Sequence, residues 1–347
     1  MSRRLRRKAY LTRADAAGYA GGRHFLRRAV FATYPQENMQ QGTSLFPVYL
    51  KLVVTTAFWG GAFIAGRHLA QHMPHFLAAT GRFVSALVPL FVFAYTVGGG
   101  LQALDRRNLV ATMLLGATGV FAYNTFFLAG LAYIPASRAA LIVALSPVMT
   151  MCVMRVLLRE RWGWLRIVGV ATSLFGVTLV VTRGEFGAAF GEAAGLGELY
   201  IFIAVASWVA YTVIGRYALQ GMSAVSATTW STLWGTLMLA GPAAHELLGG
   251  PLAMPDALSW LAMAYLGVFG TAVAFFWYNQ GVAALGPASA TLFTNLVPVF
   301  AVLFSVLLLG ERPLPSSLVG GLMVVAGVIL ANRPGAVRPA LVEAAVR

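Results

Sequence analysis

The sequence holds a single cysteine, Cys152, inside an apolar run, which excludes a disulfide framework and a cysteine-ligated metal cluster. Charge is equally scarce: 10% of the residues are charged, where a soluble domain carries about 25%. Acidic residues number 11 against 25 Lys and Arg, and each falls in a tail, a loop or at the end of an apolar run. The residue sets of an embedded enzyme are missing too. No Ser-His pair, His-Glu-x-x-His, Asp dyad or cysteine nucleophile in a basic setting lies within the apolar runs. A scaffold would leave the internal repeat described below without a purpose.

Apolar residues fill the chain instead, at 59% of the total and a mean hydropathy of +0.75. Runs of roughly 20 residues, the length that crosses a hydrocarbon core, recur at 46–66, 75–97, 109–131, 138–158, 164–182, 197–219, 224–244, 257–283, 287–309 and 315–332. The expected fold is an all-α integral membrane protein of ten transmembrane helices. With the N-terminus in the cytoplasm, 20 of the 25 Lys and Arg sort to the inner side. Arg67, Arg138, Arg183 and Arg312 sort outward, and Arg82 alone stays within a span. That is the positive-inside bias, so the net charge of +14 reports topology and no nucleic-acid partner is expected. Both termini belong in the cytoplasm. The Arg-rich residues 1–45 lack the apolar core of a signal peptide and read as a solvated cytoplasmic tail, with a transit peptide as the alternative.

The chain repeats itself. A shift of 151 positions places Gly119 on Gly270, Gly130 on Gly281, Pro147 on Pro298, Glu160 on Glu311, Gly169 on Gly320 and Gly176 on Gly327. A shift of 149 places Trp59 on Trp208. The expected organisation is a tail over 1–45, a first repeat over 46–183, an external linker over 184–196, a second repeat over 197–333 and a tail over 334–347. Five spans per half is an odd number, so the second half enters from the opposite side and the repeats are inverted. Inverted halves provide two pseudo-equivalent states with the substrate between them, which is alternating access. Pro147 and Pro298 each remove a helix hydrogen bond and are read as hinge or gating positions beside a cavity. The Glu-Arg pairs read as interfacial anchors at turns. The glycines seven apart allow close backbone packing, so spans five and ten are interface helices, between halves or between protomers.

Segment "LAGLAYIPASRAALIVALSPVMTMCVMRVLLRERW" and the repeated order of a Pro-bearing span, a Glu-Arg turn and a Gly-rich span resemble the EamA branch of the drug/metabolite transporter superfamily. The resemblance covers about 46–333 and implies a secondary transporter of small metabolites. Within that family the composition is most similar to bacterial inner-membrane exporters of aromatic and other neutral amino acids. Multidrug and nucleotide-sugar carriers are the alternatives; the latter need several buried cations for phosphates, and only Arg82 is available.

Substrate-binding candidates are Arg82, Trp59, Tyr123, Asn124, Trp208, Tyr211, Tyr278, Asn279 and Asn295, with Trp277 and Gln280 near them. Arg82 lies about 10 Å below the outer end of its span, from the ~1.5 Å rise per residue. It either snorkels to the interface or pairs with a substrate carboxylate. Asn295 precedes Pro298 by one turn, and aromatic walls with a few polar groups suit an amphipathic ligand. With no carboxylate mid-membrane, a facilitator or exchanger is expected rather than a proton-coupled carrier. His68, His72 and His75 share a helix side, but Pro74 interrupts them and no carboxylate accompanies them. No metal or cofactor is expected; the partners are a small-molecule substrate and the bilayer, with the chain a monomer or a homodimer.

Overall fold

In hydrocarbon every backbone N–H and C=O must pair within its own segment, so apolar runs of this length fold as helices. The computed structural model describes residues 45–96, 99–158, 162–184, 195–218, 222–249, 255–285 and 293–331. Glu160, its neighbours Arg159 and Arg161, nearly all of both tails and most of the linker lie outside the described residues.

The helices are α1 (Phe46–His72), α2 (His75–Thr96), α3 (Arg106–Leu115), α4 (Tyr123–Tyr133), α5 (Ala136–Val143), α6 (Ser146–Leu158), α7 (Trp164–Val181), α8 (Leu196–Ala218), α9 (Ala224–Leu248), α10 (Ala257–Gly267), α11 (Ala274–Leu285), α12 (Val297–Leu309) and α13 (Pro315–Ala331). A π-helical segment, Gly116–Ala122, joins α3 to α4, and a second, Val268–Val273, joins α10 to α11. A single 3-10 turn, Thr294–Leu296, precedes α12.

The protein is an all-α multi-pass membrane protein. Seven helical segments are long and apolar enough to cross a bilayer: 46–72, 75–96, 106–133, 136–157, 164–181, 196–215 and 257–281. The stretches Thr294–Leu309 and Pro315–Ala331 are apolar but shorter. Helix α9 has the length, 25 residues, and falls short in apolarity because of its hydroxyls. Ser226, Thr228, Thr229, Ser231, Thr232 and Thr236 are buried against neighbouring helices rather than shown to lipid. The hydroxyls of Thr229, Ser231 and Thr236 return to backbone carbonyls of the same helix, as Thr236 Oγ1 does to Thr232 O at 2.7 Å, which hides them from an apolar surrounding.

The 151-residue spacing recurs in local structure. Asp105 caps α3 by accepting from Asn108 N at 2.6 Å, and Asp256, 151 positions on, caps α10 by accepting from Ser259 N at 2.8 Å. Each such cap stabilises its helix by about 1 kcal/mol. Both π-segments, both helices that begin one residue before a proline (α6 and α12) and both last helices (α7 and α13) stand in the same relation. Pro147 and Pro298 therefore start helices instead of bending helix interiors. The Val143 carbonyl, which Pro147 cannot serve, accepts from Ser146 Oγ at 2.6 Å.

Helices α7 and α13 form the most extensive pairing in the bundle. A Cβ on Gly169 would fall 2.6 Å from Gly327 O, and one on Gly176 would fall 2.5 Å from Gly320 O. The glycine faces of spans five and ten thus meet each other within one chain, which resolves the two expected partners in favour of a contact between halves. Exposed Trp164, Phe175, Leu318 and Leu322 cover the outer faces of this pair with apolar surface.

Candidate functional site

Two helix crossings position the buried polar groups, and they repeat the same backbone contact. Gly267, at the end of α10, lies on α2, where a Cβ would overlap Ser85 Oγ and the Arg82 carbonyl. Gly116, 151 positions earlier, lies on α9, where a Cβ would fall 2.7 Å from Ser231 O and 2.8 Å from Gly235 N. Arg82 and Ser231, 149 positions apart, are therefore structural counterparts. One crossing carries a guanidinium and the other a hydroxyl.

Arg82 is partly buried, and its Nη1 donates to Asn124 Oδ1 at 2.7 Å. Asn124 is fully buried, and its Nδ2 donates to Val120 O at 2.8 Å and to Gly119 O at 3.4 Å. Both carbonyls belong to the first π-segment, whose wide turn loosens the regular i−4 pairing. Arg82 Nε is buried and has no partner among the described residues. The Arg82 guanidinium is thus bonded to a neutral amide of a neighbouring helix.

Beside this pair runs an aromatic shelf. Tyr123 lies 5.4 Å from Trp208 and 5.5 Å from Phe127, and Trp208 stacks on Tyr211 at 5.0 Å between ring centroids. Tyr211 in turn packs on Gly119 of the π-segment. A second group gathers at the other π-segment: Trp59 Nε1 donates to Gly270 O at 3.1 Å, with Tyr278 at 5.5 Å and Phe275 at 5.8 Å from its ring. Trp277 stacks on Phe58 at 5.9 Å, and Tyr265, absent from the sequence candidates, donates its hydroxyl to Phe58 O at 3.0 Å.

The remaining candidates make other contacts. Asn279 faces a small cleft with Leu90, Phe93, Val225, Thr228 and Phe276. Gln280 accepts from Lys51 Nζ at 2.9 Å. Asn295 sits in the 3-10 turn, which packs against α1, the helix that carries Trp59. Of the outer histidines, His68 Nε2 lies 3.2 Å from Ser259 Oγ, and His72 Nδ1 donates to His68 O at 2.8 Å.

Sequence reading missed a buried ion pair: Arg138 Nη1 and Glu198 Oε1 are 2.7 Å apart, both almost without solvent exposure. Arg138 also donates to Val181 O. Both residues stand in the first turn of a helix, where charge reads as an interfacial anchor. Only the packing of α5 against α8 brings the two under cover.

Comparison with known proteins follows the same outline as the fold. The model of the EamA-like transporter family matches residues 47–182 and again 195–333. The Bacillus subtilis transporter YyaM is 28% identical, over 82% of this chain and 93% of its own. A Streptantibioticus cattleyicolor protein named a probable terminal-alkyne amino-acid exporter is 29% identical, over 81% and 92%. The Escherichia coli inner membrane transporter YedA is 29% identical, over 77% and 84%. A solved crystal structure superimposes with a TM-score of 0.56 at 20% identity, covering 82% of this chain and 97% of its own, which supports the fold alone.

Proposed function

Because the chain belongs to the EamA-like transporter family, and so is a membrane transporter of small molecules rather than an enzyme, we propose that it exports amino acids with aromatic or other apolar side chains. The observation that carries this reading is the Arg82 guanidinium, held by Asn124 beside the Tyr123, Trp208 and Tyr211 rings. A cation with a free edge fits a carboxylate, and the shelf fits a flat or apolar side chain. The name of the Streptantibioticus relative points to an amino-acid cargo for that protein, in keeping with this chemistry.

The carrier works by alternating access between two inverted five-span halves, 46–183 and 197–333, flanked by tails over 1–45 and 334–347 and joined by an external linker over 184–196. Ten spans result when α9, α12 and α13 are counted with the seven longer apolar segments. Both termini face the cytoplasm, since that orientation leaves 20 of 25 Lys and Arg inside. Pro147 and Pro298 mark the points about which α6 and α12 pivot. With α7 and α13 paired inside the chain, it functions as a monomer. No carboxylate lies mid-membrane, and Glu198, close to the end of its span, is held by Arg138, so flux follows the substrate gradient.

The test is counterflow in proteoliposomes with a panel of amino acids, purines and cationic dyes. Exchange of aromatic amino acids that disappears in Arg82→Ala, while uptake of their amides persists, supports the reading. Equal loss of both would make Arg82 structural. The aromatic group around Phe58, Tyr265 and Trp277 favours multidrug export as the second reading. Dye transport indifferent to Arg82→Ala would favour that second reading.

A further inference from the structure

We infer that Asn124 is a positioning residue: together with the π-segment Gly116–Ala122 it fixes the Arg82 guanidinium so that its Nε–Nη2 edge meets the substrate carboxylate. This inference rests on the proposed function and assigns Asn124 a role other than direct contact with the cargo.

The hydrogen bonds leave no freedom in how the amide is turned. Val120 and Gly119 carbonyls only accept, so they take Nδ2; the guanidinium only donates, so it takes Oδ1. An unconstrained buried Asn would rotate to suit several partners. Here the two π-segment carbonyls lock one face, and the other face is presented to Nη1. A guanidinium bound through Nη1 keeps its Nε–Nη2 edge, whose two parallel donors match a carboxylate. Nε on that edge is buried without a partner among the described residues. A buried donor left unpaired is costly, so the edge has a strong demand for an acceptor. The backbone beneath Arg82 is held as well, because Gly267 lies against its carbonyl and Ser85 Oγ donates to that oxygen at 2.7 Å.

The second half uses the same backbone device for another purpose. The residue 151 positions after Asn124 is Phe275, and the counterpart of Arg82 is Ser231. At that π-segment, Thr271 Oγ1 donates to Leu266 O at 3.0 Å and Trp59 Nε1 donates to Gly270 O at 3.1 Å. Trp208, which matches Trp59, stacks on Tyr211 and packs at a tilt against Tyr123 instead, while Asn124 takes the Gly119 carbonyl. The anion-reading arrangement is therefore built once, in the first half.

The experiment measures counterflow of L-phenylalanine and of L-phenylalaninamide by full-length wild type, Arg82→Ala, Asn124→Ala and Asn124→Asp in proteoliposomes. Asn124→Ala should raise the half-saturation concentration for phenylalanine about ten-fold, the scale of one charge-assisted hydrogen bond, with the maximal rate and the amide little changed. Asn124→Asp has the same size, places a negative charge on Nη1, and should reduce phenylalanine transport further while sparing the amide. Should Asn124→Ala fail to accumulate, the isosteric Asp variant carries the same discrimination. If Arg82→Ala separates acid from amide but the Asn124 variants affect both equally or neither, the positioning role is overturned and the proposed function stands. If Arg82→Ala also treats acid and amide alike, the proposed function falls and this inference with it.

Discussion

The two ends of the bundle join the halves by different chemistry. At one end, four carboxylates of the second half reach the first half. Glu198 pairs with Arg138 at 2.7 Å, and Asp256 lies 3.6 Å from His68. Glu246 accepts from Phe76 N at 3.3 Å and Leu77 N at 2.8 Å, in the first turn of α2. Glu311 accepts from Ala136 N at 2.8 Å, Ser137 N at 3.1 Å and Ser137 Oγ at 2.5 Å, at the start of α5. At the opposite end the contacts among the described residues use no carboxylate. Gln102 Oε1 accepts from Ser223 N at 2.6 Å, Gln102 O accepts from Trp230 Nε1 at 3.0 Å, and Lys51 Nζ donates to Gln280 Oε1 at 2.9 Å. A carboxylate on a helix N-terminus gains from both hydrogen bonds and the helix dipole. An amide gains only the hydrogen bonds. One end is thus clamped firmly and in a pH-dependent way, the other weakly and with little response to acid. In the proposed topology the clamped end is external, and the weak end is the one that opens to the cytoplasm.

Breaking the ion pair should have the largest effect. Arg138→Ala leaves Glu198 buried without its cation, which destabilises by about 3–5 kcal/mol, read as a collapse of the melting temperature in detergent. The double variant Arg138→Met, Glu198→Leu should recover most of that loss, since apolar replacements of a buried pair are often neutral. A single variant as stable as wild type would remove the case for a firm clamp.

Next in size come the two helix-end clamps. Glu311→Gln should cost on the order of 1–2 kcal/mol, and Glu246→Gln less, because Glu311 makes three contacts and Glu246 two, one of them at 3.3 Å. The reverse order in thermal unfolding would show that contact geometry does not set the strength of this end.

Acid offers a gentler probe. Hydrogen bonds from Ser259 hold the Asp256 carboxyl below its ordinary value of 3.8, with His68 adding to the effect. A depressed folded value means that these contacts contribute fully above the unfolded value and fade as pH falls through the folded one. The stability difference between wild type and Asp256→Asn should therefore be constant near neutrality and vanish only below about pH 3.8. A difference that disappears between pH 5 and 7 would assign the contact to another group. Smallest of all, Gln102→Ala at the opposite end should cost about 1 kcal/mol or less and show the same loss at every pH. An acid-sensitive loss there would erase the contrast between the ends.

Legibility differed from residue to residue. The pairing of Gly169 and Gly176 with Gly320 and Gly327 could be seen from glycine spacing alone, because a helix face without side chains has few uses apart from close packing. The partner was undecided only as to which copy of the face it met. The π-segments carried a faint mark, the matched Gly119 and Gly270, but hydropathy cannot distinguish a five-residue from a four-residue turn. Asn295 looked central by position in its span, but the 3-10 turn that carries it ahead of α12 left no mark in hydropathy. Glu198 and Glu311 looked like ordinary interfacial charges, since each is at a helix end in sequence, and burial or a partner across the interface leaves no local trace.

By itself the sequence determined the membrane class, the repeat and its register, and the places where helices start and pack closely. Hydropathy, caps such as Asp105 and Asp256, and proline and glycine positions act over one or a few turns, and short-range forces are written residue by residue. Only the tertiary structure decided that Arg82 meets Asn124 across 42 positions, that Trp59 bonds Gly270 across 211, and that Glu311 clamps Ala136 across 175. Those meetings depend on how each helix is rotated and where it crosses its neighbour. Both are set by the summed packing of whole faces, so a single substituted side chain can put a guanidinium at one crossing and leave its repeat mate, at Ser231, without charge.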